Sequence, residues 1–469
     1  MSASSKCDII KLDTAIVSLT NNSNPLYDAA QIGSSLNSLN NAFCRVSTVA
    51  DLPSVTDNEG RFIYVEDIKS FRYSDGYYWT KDACSVLGDP SSASVLWSWG
   101  INGGNNTLLA ISPTTVSRCS PGTVAGGGTN WCQVFVGSFT GAAIKTDGTL
   151  WTWGSNVFGS GALGDGTTIS RFSPGTVAGG GTTWCQVSMH DRMTGAVKTD
   201  GTLWTWGAGR CGSMGDGNLG TFRSSPGTVA GGGTTWCQIS AGYNFNSSIK
   251  TDGTLWTWGC NAQGRLGDGT TVDRCSPGTV AGGGTNWCQV SSTAQAHVVA
   301  IKCDGTLWTW GNNCCGGLGD GTTVSRCSPG TVAGGGTTWC FVSNGESISA
   351  NGSISAIKTD GTLWTWGDNT NGILGNGTVV ARCSPGTVAG GGTNWCLVSN
   401  STSNIAMAAI KTDGTLWTWG NNQQGGLGNG TTVNRNSPGT VAGGGSFWCA
   451  VHSGGPSGAS MFAIRTRGF

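Results

Sequence analysis

Residues 143–154 read AIKTDGTLWTWG, and the string returns as AVKTDGTLWTWG at 196–207 and SIKTDGTLWTWG at 248–259. Its core, LW-[ST]-WG, occurs seven times, with the first tryptophan at Trp97, Trp151, Trp204, Trp256, Trp308, Trp364 and Trp417. Working outward, each copy is followed by Arg-x-Ser-Pro-Gly-Thr-Val or a near copy, starting at Arg118, Arg171, Arg223, Arg274, Arg326, Arg382 and Arg435. Each of those leads to a Trp-Cys pair, beginning at Trp131, Trp184, Trp236, Trp287, Trp339, Trp395 and Trp448. A period near 53 residues is the signature of a repeat architecture.

Every repeat reads as four short strands: A around WCQVS, B around AIK, C as LWTWG and D around SPGTV. Leu-Trp-Thr-Trp alternates with period two, which puts both indoles on one face. Asp-Gly between B and C is a hairpin signal, because both turn positions take positive φ. Four antiparallel strands repeated seven times describe an all-β, seven-bladed β-propeller. The array opens at strand C (Leu96–Gly100) and closes on a strand B at Phe462–Thr466, so the N- and C-terminal strands are expected to share one blade. Such closure removes the exposed edges of an open array.

The pattern DGTLWTWGxNxxGxLGDGTT…P…V…AIKTDG resembles the regulator of chromosome condensation repeat and covers about residues 89–469. The resemblance implies the propeller fold. That family includes exchange factors for small GTPases, light receptors and scaffolds, so fold alone does not give function. The family's frequent Gly-x-x-His before strand B is mostly absent here, with only His297 nearby, and no catalytic or partner-binding residue is carried over.

Two further units precede the propeller. Residues 1–45 place Ile9, Leu12, Ile16 and Leu19, then Ile32, Leu36, Leu39 and Phe43, at three- and four-residue spacing. That spacing fits a short helical anchor, either two packed amphipathic helices or a coiled-coil oligomerisation stalk. Residues 46–88 read as a small antiparallel β module with a hairpin at Ser74-Asp75-Gly76. YSDGYYWTKD within it is similar to short modules of bacteriophage tail-fibre and other virion proteins.

Composition narrows the function. Of 469 residues 80 are glycine, more than twice the usual share, while 11% are charged and the formal net charge is zero. A neutral chain lacks the electrostatic footprint for nucleic acid. No run of about 18 apolar residues suggests membrane insertion. The N-terminus lacks a signal-peptide layout, so synthesis in a cytoplasm with reduced cysteines is expected. Cys119, Cys275, Cys327 and Cys383 each precede a Trp-Cys cysteine by 13 residues, but Phe172, Ser224 and Asn436 take the first place in three copies that keep the second cysteine. Thiols acting as small buried hydrophobes explain that better than disulfides. No zinc- or calcium-ligand spacing, phosphate cradle or cofactor motif is present, and His190, His297 and His452 form no triad pattern. No metal, cofactor or catalytic residue is therefore expected.

The copies differ in length at two places only, between A and B and between C and D. In an up-and-down blade these connections share one face. The A–B segments carry Phe135, Phe139, His190, Arg192, Tyr243, Asn244, Phe245, His297 and Glu346, residue types suited to recognition. The leading expectation is a non-enzymatic virion appendage, a bacteriophage tail or head fibre. It would dock to other virion proteins through residues 1–88, form a homotrimer, and present the variable face to a host-surface glycan or protein. The alternative is an intracellular propeller scaffold that binds a protein partner.

Overall fold

The computed structural model describes residues 45–46, 62–65, 70–74, 79–80, 94–100, 109 and 117–466, apart from 125–127, 138, 157–160, 191, 293–296, 345–351, 402–405 and 455–459. The helical segment expected over 1–45, including Ile9, Leu12, Ile16, Leu19, Ile32, Leu36 and Leu39, lies outside the described residues.

Seven four-stranded sheets follow the order A-B-C-D. Blade 2, for example, comprises Trp184–His190, Met193–Lys198, Leu203–Ala208 and Phe222–Thr228. Blades are numbered one to six from the A strands at Trp131, Trp184, Trp236, Trp287, Trp339 and Trp395. Blade 7 is built from both ends of the propeller: Trp448–Gly454 and Ser460–Thr466 pair onward to Ser94–Gly100 and Arg118–Thr123. Met461 opposes Trp99 and Ile464 opposes Leu96, so the closure expected from the strand inventory forms.

Strand B is buried along almost its whole length in every blade, and strand D is the partly exposed outer edge. Each A strand slips register between its Trp and the residue two further on, as between Trp184 and Gln186. In every blade but the fourth, the intervening cysteine sits in that irregularity and donates its thiol to the strand-B carbonyl, as Cys340 does to Ile357 (3.3 Å) and Cys396 to Ile410 (3.3 Å). These cysteines are thiols, as are Cys119, Cys275, Cys327 and Cys383. Two disulfides depart from the all-thiol expectation: Cys288–Cys303 within blade 4 and Cys211–Cys260 between blades 2 and 3. Cys303 replaces the Thr of the TDG turn in one copy only, and that substitution brings a second sulfur beside Cys288.

The remaining described sheet joins Arg45–Val46, Phe62–Val65, Ser70–Ser74 and Trp79–Thr80. Tyr73 opposes Thr80 and Ser74 opposes Trp79, while Asp75 and Gly76 of the expected hairpin lie outside the described residues. Arg45–Val46 runs parallel to Tyr64–Val65, which corrects the expectation of a wholly antiparallel module.

Candidate functional site

The two faces of the ring are built differently. On the face of the B–C turns, Asp147 Oδ1 accepts hydrogen bonds from the Thr149 N–H (2.9 Å) and hydroxyl (2.6 Å), and Thr149 Oγ1 accepts from the Trp151 indole (2.9 Å). The Thr149 hydroxyl bond holds the Asp147 carboxyl below its ordinary value of 3.8 against the opposing effect of burial. The same chain recurs at Asp200, Asp252, Asp304, Asp360 and Asp413. The turn glycine then reaches the next blade, where the Trp184 N–H donates to the Gly148 carbonyl and the Trp287 N–H to that of Gly253, both at 3.0 Å. A lysine covers the tryptophans above each turn, with Lys250 Nζ 4.6 Å from the Trp236 ring and 4.1 Å from that of Trp256. The strand-C indoles are thus structural, as expected.

On the opposite face, the C–D loops are latched to their neighbours. The second indole of strand C donates to a loop carbonyl of the preceding blade: Trp206 to Ala162, Trp258 to Ser213 and Trp310 to Arg265, at 2.9–3.0 Å. Within the loops of blades 1, 3, 4, 5 and 6 a buried asparagine is the hub. Asn156, Asn261, Asn313, Asn369 and Asn422 each donate to a threonine carbonyl at 3.0–3.1 Å. The described A–B turns close on their own hairpins, as the Gly137 N–H does on the Thr140 carbonyl (2.8 Å) and the Ser401 N–H on that of Ala406 (2.9 Å).

The expected recognition residues divide among three environments. Phe139, Arg192, Tyr243 and Asn244 are half-buried at A–B turns, and Asn244 takes a positive φ of 59°. His190 is buried at the end of its A strand, with its ring 5.6 Å from that of Tyr243 across the blade 2–3 boundary. Phe135 is not at a turn tip. It lies on the innermost strand of blade 1, half-buried, with its ring 4.9 Å from His452.

Two expectations are corrected by burial. Phe245 has no exposed surface; as the first residue of strand B it points into the core, with the Arg265 guanidinium 5.5 Å from its ring. His297 is 1% exposed, and burial pulls its pKa from 6.5 to about 4, so it is a neutral packing group rather than a surface ligand. Both begin a B strand just past the variable segment, where inward orientation resumes. Glu346 lies outside the described residues.

The inner wall was not anticipated from sequence. Gln186, Gln238 and Gln289 each accept, through Oε1, the backbone N–H of Ile239, Val290 and Val342 in the next blade, at 2.8–3.1 Å. Blades 5, 6 and 7 replace the glutamine by Phe341, Leu397 and Ala450. One step along, Ser188, Ser240 and Ser399 accept from Ala241, Ser292 and Ser453, and in blade 7 His452 Nδ1 takes the serine's place, accepting from Val136 (3.2 Å). The signal in the sequence is the Gln-to-apolar change among otherwise matching A strands. Among the described residues, one group could bring metal ligands together: the Cys211 and Cys260 sulfurs with the Asp273 carboxylate, all within 4.8 Å.

A family model described as Regulator of chromosome condensation (RCC1) repeat matches residues 252–303, 360–403 and 413–456, and a second of the same description matches 131–160 and 236–265. The ultraviolet-B receptor UVR8 of Arabidopsis thaliana is 31% identical over 233 residues, 50% of this chain and 52% of that protein. The E3 ubiquitin-protein ligase HERC2 of Homo sapiens is 29% identical over 205 residues, 43% of this chain and 4% of that protein. The chain thus spans about half of the first relative and a small part of the second. Yeast RCC1 (Prp20), solved bound to Kap60, superposes with a TM-score of 0.68 at 16% identity, covering 81% of this chain and 90% of that one. Human WBSCR16 gives a TM-score of 0.66 at 17% identity, covering 81% and 100%. The molecule is a seven-bladed propeller of RCC1-type repeats.

Proposed function

We propose that this ring of RCC1-type repeats is a non-enzymatic platform that binds a protein partner through the face of the A–B turns. The observation that carries the reading is the confinement of length variation to the face shared by the A–B and C–D connections, where the described A–B turns hydrogen-bond within their own hairpins. Half-buried Arg192, Tyr243 and Asn244 near the blade 2–3 boundary supply the aromatic and polar groups that suit protein recognition. That a yeast ring of the same fold is named in a complex with Kap60 supports a protein as the partner class. The matched relatives are eukaryotic proteins, which supports the scaffold reading over the virion appendage. The test is photo-crosslinking in the source cells from a reactive residue at position 243, against one at exposed Thr182 on the opposite face. Adducts from 243 and not from 182 are expected; adducts from 182 alone would put recognition on the wrong face.

A second reading keeps the virion appendage, on the resemblance of YSDGYYWTKD at 73–82 to tail-fibre modules. It requires a homotrimer held by residues 1–45, docking through 1–88, and stoichiometric peptides in density-purified virus particles.

A further inference from the structure

The C–D loop of blade 2 lacks the asparagine hub. Where blades 1, 3, 4, 5 and 6 have Asn156, Asn261, Asn313, Asn369 and Asn422, blade 2 has Gly209, which has no side chain to gather the loop. The same loop holds Cys211, bonded across the blade boundary to Cys260, with the two Cα atoms 4.9 Å apart. The corresponding place between blades 5 and 6 is filled by Asn371, whose Oδ1 accepts from Asn421 Nδ2 at 3.5 Å. A sulfur pair has therefore replaced an ordinary polar contact between blades, in the one described loop that lost its internal hub.

The bond is wired to the candidate recognition turn. The Cys260 N–H donates to the Asn244 carbonyl (2.8 Å), and Ser213, two residues past Cys211, accepts from both Asn246 Nδ2 (2.8 Å) and the Trp258 indole (2.9 Å). Cys211 and Cys260 are partly exposed, unlike the buried thiols of Cys132, Cys340, Cys396 and Cys449. Access is a requirement for thiol–disulfide exchange.

We propose that Cys211 and Cys260 are a reversible redox modification site that orders the blade 2 loop and the Tyr243–Asn244 turn, an inference that rests on that turn belonging to the recognition surface. The oxidant is a low-molecular-weight disulfide. One cysteine thiolate attacks it, forming a mixed disulfide and releasing one small thiolate; the second cysteine thiolate then displaces the other. Two electrons pass to the small disulfide, the protein gains one S–S bond, and the two protons of the cysteines end on the two released thiols.

The test uses the full chain without any partner, so a failed recognition reading cannot mask it. The protein is equilibrated in reduced and oxidised glutathione mixtures, and alkylation at each cysteine is read by peptide mass spectrometry beside amide exchange over 242–246 and 260. Cys211 and Cys260 should lose alkylation together, along a two-electron curve. The oxidised form should slow exchange at these amides by roughly five- to tenfold, the scale of a local ordering step. Cys260→Ser and, separately, Cys211→Ser should hold exchange at the reduced rate under all mixtures. Independent titration of the two cysteines, or pairing without any change in exchange, would overturn the proposal. So would stoichiometric zinc in the reduced protein that is lost in Cys260→Ser, since Cys211, Cys260 and Asp273 would then be a metal site.

Discussion

The B–C face and the A–B face share the same strands, yet one repeats almost letter for letter and the other drifts. The difference follows the hydrogen bonds. A TDG turn must accept from the first N–H of the next blade, so its geometry is shared property of two blades and is held six times over. An A–B turn closes on its own hairpin and accepts from the start of the C–D loop of its own blade, as Asn244 does from Cys260 and Arg192 from Ala208, so these bonds stay within one blade. Constancy of the TDG turn thus goes with its lacing to the next blade, while the C–D loops, which vary in length, keep their latch at the carbonyl that receives the next blade's indole.

The strongest way to break this comparison is to add one methyl group on the constant face. Gly253 has a φ of +78°, and a Cβ there would overlap the Thr285 carbonyl. Gly253→Ala combines a strained backbone, about 1–3 kcal/mol, with displacement of the residue 253 carbonyl from the Trp287 N–H, about 1–3 kcal/mol if that buried donor is left unsatisfied. Urea unfolding should show a total loss on the order of 4 kcal/mol. A loss under about 1 kcal/mol would mean the lacing does not hold the turn in place.

The next effect separates what lies at the variable face from what lies beneath it. Burial holds the folded His297 pKa near 4, below its ordinary 6.5. Between those values the unfolded chain binds a proton that the folded chain refuses, so stability is full above pH 6.5 and falls as pH drops toward 4. The cost at the bottom of that window is on the order of 3 kcal/mol for this group. His452, held low by burial in the same way, adds to the same slope. His297→Gln should flatten the wild-type loss measured by urea unfolding at pH 7.5 and pH 5. An unchanged slope would show that His297 titrates freely at the face.

The fold was legible because its determinants are local and repeated: Asp-Gly turns, the period-two Leu-Trp-Thr-Trp, and a strand inventory that closes only if the two ends of the propeller pair. The site was less legible, because orientation past a variable-length segment is set by where strand B resumes. Phe245 and His297 fall on its first, inward position, while Tyr243 two residues earlier does not. Cys211 and Cys260 were invisible as a pair because they belong to different copies of the repeat, 49 residues apart, and meet only across a blade boundary. The Gly209 substitution that accompanies them was in plain view, but its meaning depends on knowing what Asn261 and its counterparts do.

The smallest effect sharpens the comparison most. Tyr243 occupies one of the two turn positions between Gly242 and Phe245, half-buried, with its ring edge-on to His190. Its backbone is fixed by the hairpin and its side chain latches no neighbouring blade through a hydrogen bond, so Tyr243→Ala should change unfolding free energy by less than about 0.5 kcal/mol beyond the lost ring contact of about 1 kcal/mol. Compared with Gly253→Ala ten residues on, the ratio of the two losses measures how unequally the two faces carry the fold. If Tyr243→Ala proves as costly as the glycine change, the A–B turn is part of the lacing, and its variability would have to come from compensating substitutions in adjacent blades rather than from freedom to vary.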